Sequence, residues 1–301
     1  MSAPLPCLTI AGPTASGKSD LAIEIAEQIH GEIIGADAFQ IYEGIPILTA
    51  QVPKNERREI PHHLVGEINP ATEHDVASYL KLARDKIAAV RAAGRIPILV
   101  GGTGFYIRAV LQGLSEGLPA ANPALRARLE TEELDQLVSK LIQMDPAAEK
   151  AIDLRNPRRV IRALEVCLLT GRPFTSFRAS EKTPIQHVGI WIARPRMELN
   201  ERIALRTEQI LRQGAIEEVD SLNGMVGKTA IQAIGFREIE DHLKGNISRD
   251  DLTDRIKKKT RDYAKRQETW FRKEPCLLAT SMTMAKSAAL EIAEDLLKTG
   301  R

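Results

Sequence analysis

Residues 12–19 read Gly-Pro-Thr-Ala-Ser-Gly-Lys-Ser: a glycine, four open positions, then Gly-Lys-Ser. No other feature restricts the fold as much. A strand must deliver such a loop and a helix must leave it, so that backbone N–H groups converge on phosphate oxygens at the helix N-terminus. Apolar residues precede the loop at 5–10, and a helical period follows from Lys18 to Ile29. The phosphate-binding candidates are therefore Gly12, Thr14, Ala15, Ser16, Gly17, Lys18 and Ser19. Lys18 supplies charge, and the Ser19 hydroxyl is a candidate magnesium ligand. The plain alternative is a glycine-rich turn with no chemistry, which the flanking strand and helix patterns argue against.

The remaining pattern alternates. A strand is expected at Glu32–Ala36 with Asp37 at its carboxyl end, and another at 96–100, where an unbroken apolar run suits a parallel sheet covered on both faces. Residues 41–69 read as loop, and 76–92 as helix. From 122 to 170 the periods are helical, broken near Pro146 and Pro157, and "HVGIWIAR" at 187–194 returns to the sheet. Helices are expected over 199–222, 230–243, 250–271 and 284–298, and nothing after Pro275 forms a motif. The expected fold is α/β: a P-loop NTPase-like parallel sheet core flanked by helices, built from 1–118 and 187–301, with a helical insertion at 119–186. Ligands of such sheets gather at the carboxyl ends of the strands, which places Asp37, Thr103 and the phosphate loop in one crevice.

Taken alone, several residues leave more than one role open. Asp37 suits a water-mediated magnesium contact, proton acceptance or a turn cap. The glycines of "GGTG" at 101–104 permit either close ligand approach or close helix packing. His62 and His63 lack a matching Cys or carboxylate cluster and read as packing or substrate contacts. The net charge of +2 does not by itself indicate nucleic acid, and aromatic content is only 4%, which argues against a stacking surface. Between Arg255 and Lys273, however, nine Lys or Arg residues face two acidic ones, enough for either a polyanion contact or a solvated helix face. Cys7, Cys167 and Cys276 have no metal-ligand spacing, and no apolar run is long enough to span a membrane, so a reducing, cytoplasmic location is expected. No "DxxG" follows an apolar strand, as a motor or regulatory GTPase would need.

In order, "GPTASGKS", "GADAFQIYEG", "PHHLV", "ILVGGTGFYIRAVLQGL", "RRVIRALEV", "IGFREI" and "TRDYAKRQETWFR" resemble the bacterial tRNA dimethylallyltransferase (tRNA isopentenyltransferase) family across about residues 8–273. The resemblance implies transfer of a dimethylallyl group from dimethylallyl pyrophosphate to the exocyclic amine of the adenosine 3′ of the tRNA anticodon. The loop then holds the leaving pyrophosphate, with magnesium as cofactor. Asp37 is implied as general base, Thr103 as a neighbour of the reacting groups, and Arg237 as a pyrophosphate contact. Gln40 and Thr49 are implied near the target nucleotide. Arg159 and Arg162 of the insertion, with Lys257, Lys258, Lys259, Arg261, Lys265 and Arg266, are implied as contacts to the anticodon stem-loop. The partners are thus tRNA and the prenyl donor, without a membrane, for a protein expected to be a monomer. The chain departs from the family pattern at Ala38, Leu48, Gln51 and Gln232. The rival readings are prenyl transfer to free adenine nucleotides, a P-loop small-molecule kinase and a non-enzymatic RNA-binding protein.

Overall fold

The structure is a computed structural model that describes residues 7–114, 118–179, 187–222, 224–275 and 277–299, with side chains described up to 294. Six parallel strands form one sheet: β1 (Cys7–Ala11), β2 (Gly31–Gly35), β3 (His62–His63), β4 (Ile96–Gly101), β5 (His187–Ala193) and β6 (Leu278–Ser281), in the order β3-β2-β4-β1-β5-β6. The central strand β1 pairs Leu8 with Ile98 on one side and with Val188 on the other.

The helices are α1 (Lys18–Ile29), α2 (Val76–Ala92), α3 (Gly104–Gln112), α4 (Pro123–Leu129), α5 (Leu134–Met144), α6 (Ala148–Ala151), α7 (Pro157–Thr170), α8 (Arg196–Arg212), α9 (Ala215–Ser221), α10 (Phe236–Leu243), α11 (Arg249–Phe271) and α12 (Met282–Thr299). The chain divides into two compact units, Met1–Leu111 with Pro184–Arg301, and Gln112–Thr183. The boundaries expected near 118 and 187 abut residues 115–117 and 180–186, which lie outside the described residues, as do residues 5 and 6 of the first apolar run and Cys276.

Alternation along the strands builds two cores in the first unit. Leu8, Ile10, Ile98, Ile190 and Ile192 pack under α1 and α12, where Ala285, Ala289 and Ala293 form a close-fitting stripe. Cys7, Ala11, Ile34, Leu99 and Trp191 face the other way, onto α2, α3 and the α8–α11 layer. Both faces are therefore dry, which explains the unbroken apolar strands. The second unit has its own core around Leu137, Leu141, Val160 and Leu164.

Some elements differ from the sequence expectations. Residues 41–69 are loop for most of their length but contain the edge strand β3, and Ile41, Tyr42, Ile45, Leu48 and Leu64 are buried. The expected helix at 199–222 is two helices, because Gly214 adopts φ +106° between them. The one at 230–243 is a 3₁₀ turn followed by α10, parted at Gly235, φ +101°. Strand β6 is short and largely exposed, with no alternation to announce it.

The end of β4 positions the site. A Cβ on Gly101 would lie 2.0 Å from the Ala36 carbonyl oxygen, one residue before Asp37. Both groups are backbone, so neither can turn aside. Gly101→Ala is expected to cost about 1–3 kcal/mol or more by overpacking, measured as a lower urea midpoint at unchanged m-value.

Candidate active site

The phosphate loop is held open from outside. Lys18 Nζ donates to the Pro13 carbonyl at 3.3 Å, Arg202 Nε to that of Ala15 at 2.7 Å, and Arg194 Nε to that of Ser16 at 2.6 Å. Ala15 and Gly17 have positive φ, 62° and 90°, which turns successive peptides in opposite senses. With the carbonyls satisfied by cations, the amides of Gly17, Lys18 and Ser19 at the start of α1 donate to no acceptor among the described residues. They are the donors that an anion at a helix N-terminus uses.

Helix α11 fixes the far edge of the loop. Gln267 is buried and accepts from the Thr14 amide at 2.9 Å while donating to the Gly102 carbonyl at 2.9 Å. A Cβ on Gly102 would meet the Gln267 amide at 2.2 Å, and one on Gly104 would strike the Trp270 ring at 2.2 Å. Gly102 and Gly104 of "GGTG" thus serve helix approach, while Gly101 makes room for the Ala36 backbone. Thr103 Oγ1 accepts from the Ala38 amide at 3.0 Å. Burial pushes the Tyr263 phenol up.

Asp37 Oδ1 accepts from the amides of Phe39 at 2.9 Å and Gln40 at 3.2 Å, and Oδ2 accepts no hydrogen bond among the described residues. One oxygen caps the turn while the other stays free. Asp37 lines a cavity of about 90 Å³ together with the polar side chains of Thr14, Lys18, Ser19, Gln40, Thr49 and Arg206. A larger open groove of about 930 Å³ shares Lys18, Ser19 and Arg206 with it. Burial pulls the Lys18 ammonium down to about 8; Asp37 opposes the shift and Arg206 adds to it. Arg206 is also lowered by burial, with Asp37 and Asp20 partly restoring it.

Arg206 was not among the residues singled out from the sequence. It reaches Thr14 Oγ1 at 3.4 Å and the Thr49 carbonyl at 3.3 Å. Arg237, by contrast, is exposed on α10 and lines neither cavity. The available signal was the spacing Arg202, Arg206 on α8, which puts both guanidinium groups on one helical face one turn apart. Gln40 Nε2 donates to the Thr49 and Ala50 carbonyls at 2.9 and 3.1 Å, while Thr49 Oγ1 donates to Ile45. Ser19 and Asp37 together offer the hard oxygen donors that suit magnesium.

The basic candidates separate into committed and available groups. Lys257 pairs with Glu208 at 2.9 Å, and Lys259 with Glu238. Lys258, Lys265 and Arg266 are exposed, Arg266 stacking over Tyr263, and Arg261 is half-buried. In the second unit, Arg159 is exposed and 3.5 Å from Asp153. Arg162 bonds to fully buried Glu165 and to the Pro119 carbonyl at 2.7 Å, while Arg126 grips Glu165 with two further bonds. A guanidinium so engaged also holds its own unit together.

A phosphate loop facing a free carboxylate oxygen across a small cavity, at the carboxyl ends of parallel strands, defines a P-loop-like α/β enzyme. The IPP transferase family model matches residues 40–274. A tRNA dimethylallyltransferase of Thermobifida fusca is 41% identical over 280 residues, covering 89% of this chain and 87% of the relative. The full-length tRNA isopentenylpyrophosphate transferase of Bacillus halodurans superposes with a TM-score of 0.71 at 34% identity, covering 98% of each chain. A eukaryotic dimethylallyltransferase acting on tRNA gives 0.82 at 27% identity, covering 97% of this chain and 79% of that one. The chain belongs to the IPP transferase family.

Because Lys18 binds an anion only when protonated, affinity for inorganic pyrophosphate is expected to fall as pH rises through about 8. Calorimetric titration from pH 7 to 9.5 checks this. Lys18→Arg, charged throughout, shows only the ligand's own titration, and the difference between the two profiles isolates the ammonium.

Proposed function

We propose that the chain is a tRNA dimethylallyltransferase. It moves the dimethylallyl group of dimethylallyl pyrophosphate to N6 of the adenosine immediately 3′ of the anticodon and releases pyrophosphate. The observation that carries this reading is that one cavity is lined by two cations, Lys18 and Arg206, by the Asp37 carboxylate and by apolar side chains. A pyrophosphate joined to a short hydrocarbon calls for both kinds of lining, its phosphates at the cations and its hydrocarbon against the apolar side chains.

An exocyclic adenine amine is a poor nucleophile because its lone pair is delocalised into the ring. Asp37 Oδ2 accepts the N6 proton as N6 bonds to C1 of the donor, while the turn bonds to Oδ1 keep the carboxylate in place. The C1–O bond breaks and its electron pair leaves on pyrophosphate. Lys18, Arg206 and the first amides of α1 stabilise the charge that grows there. Thr103 holds the Asp37 turn through the Ala38 amide. Ser19 would hold magnesium, which when bound neutralises part of the leaving group's charge.

The family resemblance assigns the anticodon arm to the helical unit, and Arg159, Lys258, Arg261, Lys265 and Arg266 are suited to phosphate contacts that position RNA without reading its bases. An adenosine in a stacked anticodon loop must turn outward to bring N6 to Asp37. Among the described residues no helix is long and apolar enough to cross a membrane; the reading places the enzyme in the cytoplasm as a monomer.

The test incubates the protein with unmodified tRNA, dimethylallyl pyrophosphate and magnesium, without ATP, followed by nucleoside mass spectrometry. The expected product is N6-dimethylallyladenosine. Prenylation of free AMP but not tRNA would contradict the reading. Asp37→Ala is expected to lower kcat by roughly 10²–10⁴-fold with tRNA affinity nearly unchanged. Equal turnover would remove Asp37 from the base role.

A further inference from the structure

We infer that Leu48 limits the length of the isoprenoid chain that the site accepts. The inference rests on the reading above, which puts the donor's pyrophosphate at Lys18 and Arg206 and its hydrocarbon in the adjoining apolar space. The wall of that space is formed by Leu48, Ile203, Ile210, Ala233, Ile234 and Ile256. Ile203, Ile210 and Ile256 sit on helices and Ala233 and Ile234 on the turn before α10, but Leu48 comes from the loop that follows β2.

That loop is fastened on both sides of Leu48. The carboxylate of Glu218 on α9 accepts from the Ile47 amide at 2.8 Å and from the Leu48 amide at 2.7 Å. Just beyond, Gln40 and Arg206 hold the Thr49 and Ala50 carbonyls. The Leu48 side chain is only 5% exposed. Behind it lies Gly235, where a Cβ would come within 2.8 Å of Leu48 Cδ1 and 3.3 Å of Ile256 Cδ1. Leu48 therefore has neither a mobile backbone nor free space to retreat into. It acts as a fixed wall of a cavity of about 90 Å³, and a second isoprene unit on the donor would have to displace it.

The reaction itself is the same for either donor: N6–C1 forms, C1–O breaks with its electron pair leaving on pyrophosphate, and the N6 proton passes to Asp37. Only the fit of the hydrocarbon differs. Hydrophobic pockets discriminate by roughly 10–200-fold per methylene, so a five-carbon excess against a fixed wall gives strong selection.

The experiment compares dimethylallyl and geranyl pyrophosphate as donors to tRNA with the full-length wild type, Leu48→Ala and Leu48→Gly. The ratio of kcat/KM for geranyl over dimethylallyl donor is expected to rise at least about tenfold in Leu48→Ala, and further in Leu48→Gly. An unchanged ratio in variants that still transfer dimethylallyl would overturn the inference. A second measurement needs no substitution. Geranyl pyrophosphate is expected to bind the wild type at least about tenfold more weakly than inorganic pyrophosphate, because its tail meets the wall; equal or tighter binding would also overturn it. Failure of the wild type to transfer even dimethylallyl to tRNA would instead overturn the function on which the inference rests.

Discussion

Two cations, Lys18 of α1 and Arg206 of α8, line one cavity, and the burial of both charges is the constraint around which the site is arranged. Neither has a carboxylate in direct ion-pair contact among the described residues; Asp37 acts on both at longer range, and Asp20 on Arg206. Buried like charges are costly unless an anion or well-placed dipoles compensate. The protein compensates with carbonyl oxygens: Pro13 for Lys18, Thr49 and Ala50 for Arg206. Carbonyl dipoles steady the two cations without neutralising them, so the positive charge stays available to a polyanionic ligand.

The same economy runs through α11. One buried amide, Gln267, sets both the Thr14 peptide and the Gly102 peptide, so the first and fourth strands present their loops in fixed relation. One face of that helix is thus committed to the interior, through Ala264, Gln267 and Phe271, while Lys258, Lys265 and Arg266 lie outside. A long helix with a mean composition this polar is held by a narrow seam of contacts.

Much of this was legible in the sequence. The phosphate loop, the strand ending in Asp37 and the buried strand before "GGTG" follow from local patterns that the structure reproduces. What escaped was non-local. Arg206 looks like any charged residue on an amphipathic helix, since only the fold brings it to a loop 192 positions earlier. Arg162 looks like a solvent-facing cation, and only the burial of Glu165 reveals its commitment. The break at Gly214 was readable in principle as a left-handed glycine, but the hydrophobic period on either side carries through it. Strand β6 lacks a signal because a short edge strand need bury little. Resemblance to a family supplied the reaction, where the residues alone left Asp37 three roles.

The pairing of β1 with β4 and β5 has a consequence for how the chain is made. During synthesis the strand carrying the phosphate loop is translated first, yet Leu8 must wait for Ile98 and then for Val188 before its hydrogen bonds are filled. Contacts this distant in sequence close late and slowly. A nascent chain halted before β5 therefore exposes one whole edge of the buried strand β1, open to pairing with another chain. Anion affinity consequently arises only near the end of folding, once α8 has brought Arg202 and Arg206 to the loop. Ligand affinity in this architecture is a report on completed folding, and a truncated product would be recognisable by its inability to bind.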